Sequence, residues 1–351
     1  MKADRYAPRA RRQCGAACLL FAALTLCAAT FFPVPPARAL DQLIASAAPA
    51  SAPGAGAARL TANAQFPSGP MDEAELAALE EAFAKEVLAK TLARLKKMGA
   101  AAKKPNRKAA ARLNRLTKRD IEYERLVLAD AVTRLRQAGM AFDSSQFFVY
   151  VDAAPDRQLA FLAYYQAGAG LDGRDGTTRL IGADLVSTGK LRPGDDSVIT
   201  PAGVYEHDLD NYGYRAQGTK NDKGWRGLGA KGSRVWDFGF QQGLRQFRQG
   251  VRPSQMRLLM HATDPDFGEP RLGSADSKGC VRVSAQFNRF LDIHAILDRR
   301  YEEQARTDPS RWLLRADRTP VSHPGSLLII GDASKPANRP ETANRDKPAP
   351  Q

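Results

Sequence analysis

Two side chains in this sequence are of the types that together can attack a carbonyl carbon. The stretch Met260–Ser284 reads MHATDPDFGEPRLGSADSKGCVRVS, with His261 near its start and Cys280 nineteen positions on. A cysteine attacks as its thiolate, and an unassisted thiol is mostly protonated at neutral pH, so a nucleophilic cysteine needs a base such as histidine beside it. The elements around the pair can supply that closeness. Arg257-Leu-Leu-Met260 reads as a short buried strand that ends at the histidine. Val281 and Val283 alternate with Arg282 and Ser284, a second half-buried strand. The residues between are rich in Asp, Gly and Pro, as in a surface loop over a site. Adjacent strands would bring imidazole and thiol within hydrogen-bond reach.

The other three cysteines sharpen this reading. Arg9, Arg11 and Arg12 form a basic start, Cys14 to Phe32 is an apolar run, and Pro33-Val-Pro-Pro36 leads to Ala37-Arg38-Ala39, a small-x-small cleavage signal. This pattern predicts a signal peptide over residues 1–39, with a retained anchor as the alternative. Its removal takes Cys14, Cys18 and Cys27 and leaves Cys280 alone. An exported chain with one cysteine has no internal disulfide, and a lone thiol in an oxidising compartment calls for a reason. The plain alternative is a buried cysteine acting as a small hydrophobe. The formal net charge is +14, and residues 1–39 hold six basic side chains and one acidic, which leaves +9 on the mature chain. A basic exported protein suits anionic lipid or an anionic wall polymer, while export argues against nucleic acid. The expected location is the periplasm or cell envelope, with membrane contact only during export.

Residues 40–70 are rich in Ala, Ser, Pro and Gly and read as a flexible spacer. From Met71, Leu76, Leu79, Phe83, Val87, Leu88, Leu92 and Leu95 fall on one helical face, with acidic residues in the first turn and Lys96 and Lys97 in the last. A second helical pattern runs through Leu113, Leu116, Ile121, Leu128, Val132 and Leu135 to Gly139. Both helices, placed in a region over 71–139, are expected to lie as a hairpin on the next domain. From Phe147 the texture changes to strands: Phe147–Asp152, Gln158–Tyr165, Leu180–Ser187 and Thr200–His207, with Gly, Pro and Asp at the turns. That density predicts a mostly-β domain (α+β overall) of sandwich or barrel type over 146–332. Residues 210–255 carry Tyr212, Tyr214, Trp225 and Trp236 and read as a long excursion, a lid or binding surface, with one strand at Val235–Phe240. A helix over Ala285–Arg300, closing strands at Trp312–Arg315 and Ser326–Ile330, and a disordered tail over 333–351 complete the pattern.

These segments, in this order, resemble the L,D-transpeptidase catalytic domain (the YkuD family). The matching pieces are Val151-Asp152 in the opening strand, Val186-Ser-Thr-Gly189, Thr200-Pro-Ala-Gly203, and His261 with Ser277-Lys-Gly-Cys-Val-Arg282. The resemblance implies a β-sandwich or barrel-like catalytic fold and peptide-bond exchange on peptidoglycan stem peptides. It implies that Cys280 attacks the third residue of a tetrapeptide stem, a diamino acid such as meso-diaminopimelate, and expels the terminal D-Ala. Transfer to an amine would form a 3–3 cross-link or tether a wall-attached protein. His261 would be the base, with oxyanion and substrate contacts from Ser277, Lys278, Gly279 and Arg282. Because Ala262 follows the histidine, a backbone acceptor must hold its tautomer. Hydrolysis of the same stems, or a wall-binding protein without catalysis, are the alternatives. Many members carry His where this chain has Lys278, whose ammonium either turns toward the sulfur and favours the thiolate or points into solvent. No cofactor or metal is expected: there is no Walker loop, dinucleotide fingerprint or zinc motif, and His207, His294 and His323 read as structural.

Overall fold

Seven consecutive buried residues, Gln146–Asp152, form the strand (β1) at the centre of the fold. Successive strand side chains point to opposite faces, and here both faces are apolar, so the strand needs cover on each side. Phe147, Val149 and Val151 enter one core, Phe148 and Tyr150 another. The computed structural model describes residues 66–67, 69–100, 107–140, 144–168, 176–305 and 312–335. The expected leader over 1–39, most of the spacer over 40–70 and the tail beyond 335 lie outside them. All the described residues belong to one compact unit, Gln42–Gln351.

Two mixed five-stranded sheets organise that unit. In the first, β3 (Thr177–Leu185), β2 (Leu159–Gln166), β1, β10 (Leu327–Gly331) and β5 (Gly203–Glu206) lie in that order. Its β1–β10 pair is parallel, and the rest are antiparallel. In the second, β4 (Val198–Ile199), β7 (Arg234–Phe247), β8 (Gly250–Ala262) and β9 (Val281–Val283) follow one another, with β6 (Tyr214–Arg215) also on β7. The first core fills the space between the sheets, joining Leu162 and Ile330 to Trp236, Met260, Val281 and Val283.

The helices are part of both cores. α1 (Glu73–Phe83) begins at Asp72, whose carboxylate accepts the Ala74 N–H, and runs through a π-helical turn (Ala84–Leu88) into α2 (Ala89–Ala100). Phe83 of α1 meets Phe287 and Phe290 of α5 (Ala285–Ile293) edge-on at 5.9 and 5.2 Å. Gly182 on β3 permits this seat, since a Cβ there would run into the Phe83 ring. α3 (Arg107–Thr117) and α4 (Ile121–Gln137) cover the other face of the first sheet. Tyr123 and Asp130 of α4 bond Asp152 and Tyr150 of β1 at 2.6 and 2.7 Å.

Five expectations change. Helix and strand occur in near-equal amounts, so the class is α+β without a β majority. The second helical pattern is two helices, because Asp120 restarts the chain as a cap for the Tyr123 N–H. Residues 234–262 form one long hairpin, β7–β8, rather than an excursion with a short strand. The predicted helix over 285–300 breaks after Ile293, where Ala295 takes φ +49°, and resumes as α6 (Arg299–Gln304), while Trp312 and Leu313 lie in a helical turn and not a strand.

Candidate active site

The second sheet carries a row of paired residues across its strands. Tyr214 pairs with Val235, Val235 with His261, and His261 with Arg282. Residues in register share a face, so Tyr214, His261 and Arg282 lie together on the face turned away from Met260, Val281 and the core. Cys280 stands at the mouth of β9, two residues before Arg282 and on the same face. β8 and β9 are thus the adjacent strands that the sequence predicts, and they run parallel.

His261 is buried, and its Nδ1 donates to the Ala262 carbonyl oxygen at 2.6 Å. A carbonyl only accepts, so the proton is on Nδ1 and the lone pair on Nε2. Burial lowers the imidazole to about 4, and the Arg282 charge adds to this against the Ala262 bond. Cys280 is half-buried, and its thiol donates to the Arg257 carbonyl oxygen at 3.8 Å. Burial pushes the thiol up, opposed by the Leu259 N–H and the Arg282 guanidinium and aided by Asp237. No hydrogen bond joins thiol and imidazole among the described residues. The resting pair is two neutral groups on one face, each held by its own backbone carbonyl.

The remaining predicted residues separate into different places. Gly279 has φ +134°, a conformation glycine adopts without strain, and its N–H donates to the buried Ser277 Oγ at 3.0 Å. The Gly279 N–H is thus bonded within the loop, while the Cys280 N–H has no acceptor among the described residues. Lys278 is exposed and ion-paired with Asp196, so the ammonium is turned from the sulfur. The cation beside the thiol is Arg282, whose Nη1 donates to the Asp276 carbonyl at 3.1 Å. No three His, Cys, Asp or Glu side chains form a metal-holding group among the described residues. His207 is buried with Nδ1 3.3 Å from the Asp237 carbonyl, and His323 Nε2 lies 2.9 Å from the Gly69 carbonyl.

The segments flanking the cysteine hold its loop in place. Thr200 Oγ1 accepts the Gly189 N–H at 2.7 Å and donates to the Gly279 carbonyl at 2.6 Å. Thus Ser187-Thr-Gly189 and Thr200-Pro-Ala-Gly203 meet at the residue before Cys280. Ser187 also bridges to Arg282, and Val198 N–H donates to the Lys278 carbonyl at 3.1 Å.

Tyr214 and Trp225 reach the site from the aromatic-rich segment, and no spacing rule assigns either to a nucleophile. Burial, then the Asp237 and Cys280 charges, push the Tyr214 phenol up. Trp225 lies under the guanidinium groups of Arg271 and Arg282, at 5.2 and 5.7 Å. Neither a family model nor a curated protein matches the chain.

Proposed function

We propose that this chain is an exported cysteine acyltransferase of the L,D-transpeptidase kind, acting on peptidoglycan tetrapeptide stems in the periplasm or cell envelope. The observation that carries the reading is the Nδ1–Ala262 bond, which leaves Nε2 of His261 as a base on the face that holds Cys280. Because both groups rest neutral, the thiol proton moves to Nε2 as the sulfur attacks, rather than beforehand. The thiolate adds to the carbonyl of the third stem residue, and the oxyanion faces the Cys280 N–H. The imidazolium then gives its proton to the departing amine of D-Ala, leaving a thioester on Cys280. An amine of a neighbouring stem or of a wall-attached protein takes the acyl group and restores the thiol, and His261 accepts the amine proton in that step. Arg282, cationic and beside the sulfur, supports the developing charge and suits the carboxylates of the stem.

Incubating the protein with purified tetrapeptide muropeptide and reading the products by mass spectrometry tests this. Loss of D-Ala with a cross-linked dimer is the expected product of transfer. A free tripeptide would mean hydrolysis at the same site, and an unchanged substrate would overturn the reading.

A further inference from the structure

The loop between His261 and Cys280 is gripped from outside the strands. Three arginines of the helical region reach over to it. Arg112 of α3 donates from Nη1 to the Pro270 carbonyl at 2.7 Å, and from Nη2 to the Arg271 carbonyl at 3.5 Å and Ser274 Oγ at 2.8 Å. Arg115, one turn on, donates to the Gly273 carbonyl at 3.0 Å and to the Arg157 carbonyl. Arg94 of α2 ion-pairs with Glu269, whose other oxygen accepts the Ala285 N–H at 2.7 Å, directly after Ser284. The carbonyls of Pro270, Arg271 and Gly273 and the side chains of Glu269 and Ser274 are thus held by one helical region, while the turn's N–H groups bond within the loop and to Val186.

The grip continues to the nucleophile. The Ser274 carbonyl accepts Ser187 Oγ at 2.7 Å, and the same hydroxyl accepts the Asp276 N–H at 3.0 Å. The Asp276 carbonyl receives Arg282, and the next residue, Ser277, holds the Gly279 N–H. Arg112 is buried against neutral acceptors, with Arg115 and Arg94 near enough that burial first and then their charges push its guanidinium down. Such a buried cation is a costly way to attach a helix, for which apolar side chains serve at least as well. What a guanidinium adds is direction, five N–H donors in a rigid fork. Beside these bonds α3 packs on α2 and β3: its buried residues are Ala109 and Arg112, with Leu113 and Leu116 partly buried on the second core.

We infer that the helical region positions the nucleophile. Arg94, Arg112 and Arg115 form a clamp that fixes the Glu269–Ser274 turn and, through it, Cys280 and Arg282 relative to His261. They are positioning residues, remote from the reacting atoms. The inference rests on Cys280 being the reacting group of the proposed function, but its main test needs no stem peptide.

That test follows Cys280 alkylation by iodoacetamide across the neutral to alkaline range, in the full chain and in Arg112→Gln, Arg115→Gln and Leu116→Ala. A loosened turn lets water reach the sulfur, and less burial lowers the thiol. In both arginine variants the alkylation profile should move down by about one pH unit, with about tenfold faster labelling near neutrality. Acyl-enzyme formation from a stem should fall about tenfold or more in the same variants, because His261 and Cys280 lose their mutual placement. Leu116→Ala trims the same helix without removing a hydrogen bond to the turn, so it should lower the melting temperature and leave the profile in place. Profiles unmoved in both arginine variants, or moved equally by Leu116→Ala, would overturn the clamp. A wild-type protein inert toward stems would instead refute the proposed substrate while leaving the alkylation comparison decisive.

Discussion

Burial acts in opposite directions on Cys280 and His261: it raises the thiol and lowers the imidazole to about 4. Near neutral pH neither group is charged. A histidine held down in the folded state binds its proton less readily than in the unfolded chain, so unfolding takes up a proton between about 4 and 6.5. Stability is therefore kept above about 6.5 and declines as the pH falls toward about 4. A titration of the His261 ring by NMR should find its midpoint well below the ordinary histidine value. His261→Ala should slow acylation by about 10²-fold or more, the usual scale for a positioned base. The cations separate in the same way. Lys278→Met removes a charge paired with Asp196 and should leave the alkylation profile of Cys280 unmoved. Arg282→Met removes the charge that favours the thiolate, so the profile should shift to higher pH. The reverse pattern would return Lys278 to the site.

At the scale of elements, Thr200 joins three segments through one hydroxyl, which serves both the Gly189 amide and the Gly279 carbonyl. Thr200→Val keeps the shape and strands both backbone groups in a buried place, at about 1–3 kcal/mol each. The variant should melt lower and acylate more slowly, and unchanged values for both would show that the junction is dispensable. Phe83→Ala, at the contact of α1 with α5, should cost about 3–5 kcal/mol in denaturant unfolding, as loss of a fully buried aromatic does. The strands and α1 were legible because period-2 and helical patterns report burial directly, as in Phe147–Asp152 and Leu76–Phe83. The break at Asp120 was not, since apolar residues recur at helical spacing on both sides of it, yet Ile121 is exposed and Tyr123, Val127 and Ala131 face the core instead. The β7–β8 hairpin was hidden for a related reason. Its outer half, with Arg245, Arg248 and Arg252, extends past the core and lacks an apolar alternation. The partners of Lys278 and Arg112 come from segments over eighty residues away in sequence, so local spacing carries no trace of them.

Across the whole molecule, two cores share one sheet, and the site lies on the outer face of the other sheet. The strands bring His261 and Cys280 to one face, while the helical region reaches the loop between them. The histidine, the cysteine nineteen positions on and the polar connection between them point to the pair, and long-range packing fixes how they are held. The central claim is that Cys280 becomes acylated by a peptidoglycan stem with His261 as its base. Intact-protein mass spectrometry after mixing with a purified tetrapeptide stem tests it most directly. The wild type should gain the mass of the stem less D-Ala on Cys280, His261→Ala should gain it far more slowly, and Cys280→Ala should not gain it at all. A wild-type protein without the adduct and without D-Ala release, or turnover by folded Cys280→Ala, would contradict the account.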